Sequence, residues 1–428
     1  MSPETMPNDP CLTQLVTSCD QRQMLGIFQR HLGPRLKRPC HILDCTLSRI
    51  RYRPRTRCVL QYTLNMRGAD TGEVWEQWIT GMIYPDDRSE RIFQKIQSAG
   101  TEHGIHDYLI TDEPAFFIPD LGMLVEVFPY DRRIPALPAL SGGPPSDLMH
   151  LIRERFGPGK WHMEDCNIKP VRYRAGLGGV LQYTIRMRDE ATGRIEIKRF
   201  YVKAYRENED LGEQTYQLLE YLWKRNESEW TCYKVTRPIA YMKDLHALVQ
   251  EEAHGFSLDK ILLQGGETDS VMRRAARTLA YFNQDDLIPA ARYSPVDQIT
   301  ELRDVGELCS AVLPSIEKEI TKVIDAISSG LGDLQLMPTH RDLKLDHLFL
   351  DGETITIIDF DSFAMADPVL DPATLLAQLV TMSHSISLPC GRINSAGRAF
   401  IEEYFAHVPM SWRSRLKFQY AGSALKGA

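Results

Sequence analysis

"PTHRDLKLDHLFLDGETITIIDFDSFAMADP", residues 338–368, carries two carboxylates, Asp342 and Asp359, on either side of a segment patterned as a β-hairpin. "HLFL" and "TITIID" read as short apolar strands, and Asp351-Gly352 supplies turn residues that tolerate positive φ. Pairing across that turn predicts His347, at the start of the first strand, beside Asp359, at the end of the second. Asp342 then lies on the loop just ahead. Such a cluster can hold a divalent cation between one carboxylate and a second ligand, leaving the other carboxylate to receive a hydroxyl proton.

Outward from this segment, the 428-residue chain is too long for one ordinary core. With 25% charged and 43% hydrophobic residues it reads as a soluble globular protein. A formal charge of −7 gives no electrostatic footprint for nucleic acid. The opening "MSPETMPNDPCLTQLVTSCD" lacks a basic, then apolar, leader, and no later stretch is long and apolar enough to cross a membrane. Nine cysteines without a C-x-x-C pair fit free thiols in a reducing cytoplasm better than disulfides or a zinc site.

The chain also contains one module twice. "IRYRPRTRCVLQYTLNMR" (50–67) and "VRYRAGLGGVLQYTIRMR" (171–188) match at 10 of 18 positions, at an offset of 121 residues. The same offset carries Thr71-Gly72 onto Thr192-Gly193 and Tyr84 onto Tyr205. Each copy reads as a helix, three strands, a helix and two more strands, which predicts an antiparallel five-stranded sheet with a helix packed on it. "PALPALSGGPPS" (135–146) reads as the linker between them. The copies differ at chemically telling positions. The second has Gly176, Gly178 and Gly179 in "AGLGG", where backbone N–H groups can approach phosphate oxygens; the first has "PRTRC". Lys203 ends the third strand of the second copy, and its counterpart is Met82; Glu213 in the next helix corresponds to Glu90.

Taken together, "HRDLKLDH", "IDFD" and "ADPVLD" resemble the aminoglycoside phosphotransferase and choline kinase branch of the protein-kinase-like fold, whose pattern is H-x-D-x-x-x-x-N, then I-D-F-D or I-D-W, then G-D-P-x-x-D. The resemblance covers roughly residues 146–428. It implies an α+β, two-lobed fold preceded by an extra N-lobe-like repeat: residues 1–140 the degenerate repeat, 141–258 a nucleotide-binding lobe, 259–428 a helical lobe with the catalytic loop and metal site. It further implies ATP-dependent phosphoryl transfer to a hydroxyl of a small molecule, with GTP as the other nucleotide the pattern admits. Asp342 resembles the base that orients the hydroxyl, Asp359 the metal-binding aspartate, and Lys203 the lysine on the α- and β-phosphates. Glu213 resembles the partner of that lysine, and Asp371 the aspartate that braces the catalytic loop. "EEAHGFSL" (251–258) resembles the hinge behind the adenine, with backbone groups from Glu251 to Ala253. His347 stands where the family usually has asparagine, the second metal ligand; magnesium is the implied ion, and the softer imidazole donor makes manganese the alternative.

"HRDLK" is also similar to the catalytic loop of protein kinases, but no A-P-E follows and "IDFD" and "DPVLD" are too close for an activation loop. A small-molecule acceptor is therefore the primary expectation, and a catalytically silent scaffold the reading from another class. Arg49, Arg51, Arg53, Arg55 and Arg57 alternate, so an extended chain would point all five to one side. The sequence sets neither the acceptor nor the oligomeric state.

Overall fold

The computed structural model describes residues 9–99, 109–207, 209–229, 231–265, 267–289, 291–332, 334–385 and 390–427. Part of the opening stretch read for a leader, residues 1–8, lies outside them. The chain divides into two compact units: residues 1–213 with 239–250, and residues 214–238 with 251–428.

The first repeat falls in the first unit, as does the second apart from the stretch of helix beyond Glu213 and the residues Pro238 and Glu251. The first comprises helices α1 (Leu15–Cys19) and α2 (Gln21–His31), strands β1 (Cys40–Arg53), β2 (Arg57–Gly68) and β3 (Val74–Ile83), helix α3 (Arg88–Ala99), and strands β4 (Ala115–Ile118) and β5 (Met123–Val127). The second has α4 (Ala136–Gly142), α5 (Ser146–Glu154), β6 (Trp161–Arg174), β7 (Gly178–Asp189), β8 (Ile195–Tyr205), α6 (Leu211–Ser228), β10 (Pro238–Met242) and β11 (Ala247–Glu251). Each sheet runs in the same order, β1-β2-β3-β5-β4 and β6-β7-β8-β11-β10. The expected five-stranded antiparallel sheet is therefore present twice.

The register confirms the repeat residue by residue. Arg51 pairs with Val59, Val59 with Met82 and Met82 with Leu124 across the first sheet. In the second, Arg172 pairs with Val180 and Val180 with Lys203, at the same offset. Tyr62 and Tyr183, also equivalent, are both fully buried, and their hydroxyls donate to the carbonyls of Ser18 (2.6 Å) and Leu140 (2.5 Å). A buried tyrosine brings a large apolar ring and needs one partner for its hydroxyl, so this position fastens each sheet to the helices that precede it.

Those helices correct one expectation. The stretch taken as a linker forms α4, in which Leu137 and Leu140 are fully buried under the second sheet. Their three-residue spacing gives a one-sided apolar face strong enough to override the flanking Gly and Pro. A single core then joins the repeats: Met82, Leu124 and Phe128 from the first pack with Leu181, Tyr183, Phe200 and Val202 from the second. Tyr173 reaches across, its ring 5.0 Å from that of Phe128 and 6.1 Å from that of Trp78. The face of the first sheet that carries Met82 is thus covered by the second repeat, and the opposite face by α1 and α2.

The second unit is mainly helical. It contains the C-terminal part of α6, β9 (Lys234–Val235), β12 (Phe256–Ser257), α7 (Leu258–Gln264), α8 (Thr268–Phe282), α9 (Pro295–Val312), α10 (Glu317–Leu331), β13 (Met337–Thr339), β14 (Leu348–Asp351), β15 (Thr354–Ile357), β16 (Ala364–Ala366), α11 (Leu370–Ser385), α12 (Cys390–Ala406) and α13 (Leu416–Gly427). The predicted hairpin is β14–β15, with Leu348 opposite Ile357 and Asp351 opposite Thr354. Its two turn residues are Gly352, at φ 55°, and Glu353, one position beyond the Asp351-Gly352 expected. Cys11, Cys19, Cys40, Cys45, Cys58, Cys166, Cys232 and Cys309 are unbridged, and among the described residues no helix is long and apolar enough to cross a membrane.

Candidate active site

In the second unit the loop after β13 is held by a buried carboxylate. Asp371, fully buried at the start of α11, accepts the backbone N–H groups of His340 and Arg341, both at 2.8 Å, and the Asn283 side-chain amide at 3.0 Å. Burial pushes its carboxyl above the usual aspartate range, and these donors pull it back. Asn283 also donates to the Pro338 carbonyl (2.9 Å) and accepts from the Tyr404 hydroxyl (2.9 Å), so both sides of the brace are anchored in helices. Arg341 sits at φ 68°, with its guanidinium 3.7 Å from the centroid of the Tyr293 ring. A non-glycine residue in the left-handed region is costly unless its surroundings fix it, and here they do.

This brace leaves Asp342 on an immobilised loop. Its side chain is 38% exposed, and Lys344 Nζ donates to its Oδ2 at 2.7 Å. The loop is tied to the hairpin as well: a His340 ring nitrogen lies 2.9 Å from the Ile358 carbonyl, and the Ile358 N–H donates to the His347 carbonyl at 3.1 Å. Asp359 follows directly, again left-handed at φ 68°.

His347 and Asp359 come together as expected, with Nε2 3.5 Å from Oδ2. The His347 side chain is almost wholly buried, and its Nδ1 has no hydrogen-bond partner. Burial drives its pKa down to about 4, against the opposing pull of Asp359. The ring is therefore neutral at pH 7 and can offer a lone pair. Among the described residues no three His, Cys, Asp or Glu side chains gather into a metal cage. One carboxylate and one neutral imidazole nevertheless fit an ion such as magnesium, which takes one or two protein ligands and completes its shell with phosphate oxygens and water.

In the first unit, Lys203 lies on the half-exposed face of the second sheet with Val180, Gln182 and Tyr201. Its ammonium is 5.6 Å from the centroid of the Tyr205 ring. That ring packs against Gly212, where an added Cβ would sit 2.7 Å from it, so Lys203 and the start of α6, which holds Glu213, share one neighbourhood. Glu213 and Glu90 are each the third residue of their helices, as the repeat implies.

The glycine turn has local reasons of its own. Gly176, at φ 62°, donates its N–H to Asp131 Oδ2 at 2.5 Å, an oxygen that also accepts the Tyr173 hydroxyl at 2.8 Å. A Cβ on Gly178 would meet the Ala204 carbonyl oxygen at 3.2 Å, and one on Gly179 would meet Leu137 at 2.8 Å. The Glu251 N–H donates to the Arg237 carbonyl (2.9 Å), the counterpart of Val127 donating to Pro114, and Ala253 follows β11 in irregular chain. Sequence reading missed Asn283, Tyr404 and Asp131. Asn283 and Tyr404 sit in ordinary helical patterns, and Asp131 lies just past the last residue that the two copies align.

The sequence profile of the phosphotransferase enzyme family matches residues 175–401, more than half of the chain, and the chain belongs to that family. The match begins at the glycine turn and takes in Lys203, the Asp342 loop, the His347–Asp359 pair and Asp371. No curated protein sequence matches the chain. Among solved structures, it is similar to an aminoglycoside-3'-phosphotransferase of type VIII (19% identity, 65% of this chain and 98% of the other, TM-score 0.40). It is similar also to a choline/ethanolamine kinase family protein from Mesorhizobium loti (13%, 60% and 76%, TM-score 0.40) and to choline kinase from Cryptosporidium parvum Iowa II (14%, 61% and 80%, TM-score 0.42). The protein is a phosphotransferase of α+β construction with a second copy of its sheet domain ahead of the family region.

Proposed function

We propose that this phosphotransferase moves the γ-phosphoryl group of ATP to a hydroxyl of a small-molecule acceptor. The Asp371 brace supports this most directly. It holds the backbone on the N-terminal side of Asp342 with two hydrogen bonds and leaves that carboxylate partly exposed beside an ammonium. In the proposed reaction the acceptor hydroxyl gives its proton to Asp342 as its oxygen attacks the γ-phosphorus, and the bond to the ADP oxygen breaks. Lys344 stabilises charge on the transferring group, and Lys203, with Glu213 as its partner, binds the α- and β-phosphates. The turn of Gly176, Gly178 and Gly179 covers them, and the backbone from Glu251 to Ala253 meets the base. Asp359 and His347 would hold Mg2+, or Mn2+, which supplies charge neutralisation on the phosphates when bound. Phosphoryl transfer asks for positioning and electrostatics rather than covalent chemistry from the protein, which is what a braced loop provides.

One observation favours a second reading, a binding protein without turnover: the Gly176 N–H, expected to face phosphate, is spent on Asp131. The two are separated by an ADP-release screen over hydroxyl-bearing amino alcohols, sugars and aminoglycosides, with GTP tried beside ATP. Asp342→Asn should lower kcat at least a hundredfold while ATP still raises the melting temperature. Turnover that survives in Asp342→Asn sinks the assignment of the base; no thermal shift with ATP and either metal, and no acceptor, leaves the binding protein.

A further inference from the structure

The alternating arginines do not share one side. The β1–β2 hairpin turns at Pro54–Thr56, so Arg53 and Arg57 face each other across it, and Arg55 sits in the turn at φ 56°. Arg49 and Arg53 are exposed. Arg51 and Arg57 instead turn inward, where they line a cavity together with Arg132 and Arg133 from the chain after β5. Val59, Thr80, Met82 and Tyr84 form its floor. By the register above, these positions correspond to Val180, Tyr201, Lys203 and Tyr205 of the second repeat, and Arg57 corresponds to Gly178. The cavity is the first repeat's counterpart of the Lys203 face, with its positive charge moved from the strand to the rim.

These guanidinium groups are poorly neutralised. Among the described residues, the ion pair in the cavity is Arg132 with Glu126 at 3.5 Å, and burial pushes Glu126 up to about 8, so it is mostly uncharged at neutral pH. Arg132 otherwise reaches only the Met82 sulfur, at 3.6 Å. Arg51 spends one N–H on the Ala175 carbonyl at 2.8 Å and keeps a buried Nε without a partner. Burial and repulsion from Arg57 and Arg133 lower its pKa against the opposing charge of Asp131, which also lines the cavity. The Asp131 carboxylate is engaged by Tyr173, Gly176 and the Arg133 backbone rather than by an arginine head group. Crowded guanidinium groups around a cavity are what a phosphate group, accepting paired N–H bonds, would stabilise.

We propose that this cavity is a binding site for a phosphate group, held by Arg51, Arg57, Arg132 and Arg133, on the face of the first repeat that corresponds to the nucleotide face of the second. Ala175 and Gly176 line it, so a bound phosphate touches the glycine turn directly. The assignment of the second repeat's face rests on the function proposed above; the arginine site does not.

The test is equilibrium binding of inorganic phosphate and of AMP to the full chain without metal, followed by 31P NMR and dialysis. The proteins compared are wild type, Arg57→Gln, Arg132→Gln, Arg49→Gln and Lys203→Met. Saturable binding should weaken at least tenfold in Arg57→Gln and in Arg132→Gln and stay unchanged in Arg49→Gln. A tighter Kd for inorganic phosphate makes the free ion the ligand; a tighter one for AMP makes it the phosphate of a larger metabolite. Binding lost in Lys203→Met but kept in both pocket variants places the anion at the nucleotide face and overturns the proposal. No saturable binding, or equal affinity in all five proteins, overturns it as well. Should one pocket variant fail to fold, the other carries the comparison.

Discussion

Glu126 gives the sharpest quantitative expectation. It is 3% exposed, and its Oε1 has no hydrogen-bond partner, the nearest cation being Arg132 at 3.5 Å. Desolvation is the largest cause of its raised pKa, the nearby Asp131 charge adds to it, and Arg132 and Arg133 oppose it. Tyr130 and Tyr173 also face it, and Arg51, Arg57 and Tyr84 share the cavity it lines. With the folded value at about 8 against an ordinary 4.5, the folded state keeps a proton that the unfolded chain releases. Below pH 4.5 both states hold it and nothing is lost. As pH rises through the window from 4.5 to about 8 stability falls, by about 1.4 kcal/mol per unit and about 5 kcal/mol in all. Between pH 6 and 8 the loss is about 2–3 kcal/mol, or very roughly 5–10 °C for a unit of this size. Glu126→Gln has no proton to lose there. Thermal denaturation of both proteins across pH 5–8.5 should show the glutamine variant gaining on wild type as pH rises, since every other titrating group is common to both. Parallel profiles would refute the reasoning, and a variant that loses ground at high pH would show that Glu126 is ionised and paired with Arg132.

Three further expectations follow from packing and hydrogen bonding. Asp371→Asn keeps one acceptor oxygen but sets an amide donor against the backbone N–H of His340 or of Arg341; urea denaturation should show a loss of about 3 kcal/mol, and kcat should fall even where the protein remains folded. Gly255→Ala would put a Cβ 2.0 Å from the Leu350 carbonyl oxygen at a residue with φ 87°; a loss of about 3 kcal/mol or more should appear as a lowered melting temperature, and an unchanged one would mean that the β12–β14 pairing is not as described. Leu137→Ala should cost about 2–5 kcal/mol, and Gly179→Ala, destabilising alone, should become neutral or favourable in that background. A double-mutant cycle without such coupling would remove the packing role given to Gly179.

The sheets, the hairpin and the approach of His347 to Asp359 were readable because each is written in local pattern. Strand alternation, turn glycines and a gapless repeat carry the five-stranded sheet and its duplication before any contact is known. The brace at Asp371 was readable only through the resemblance, since a lone aspartate at a helix start is ordinarily a cap. What could not be read were contacts between repeats. The partner of the Gly176 N–H is a carboxylate 45 residues earlier, and α4 hides behind a Pro- and Gly-rich composition that its buried leucines outweigh. The arginine alternation misled because a period of two holds only while the strand continues, and this one turns after Arg53.

Stacking the first sheet on the second also accounts for the way the first copy departs from its twin. The position equivalent to Lys203 faces a shared core and is 5% exposed as Met82. A lysine there would have to shed its hydration beside the Arg132 guanidinium, which reaches the Met82 sulfur at 3.6 Å, at a cost of several kcal/mol. A thioether fills the same space without that cost. Positive charge is tolerated only at the cavity rim, where a guanidinium group can bury its stem and keep its head near water. The methionine and the rim arginines are therefore two results of one burial constraint on the covered face of the first sheet.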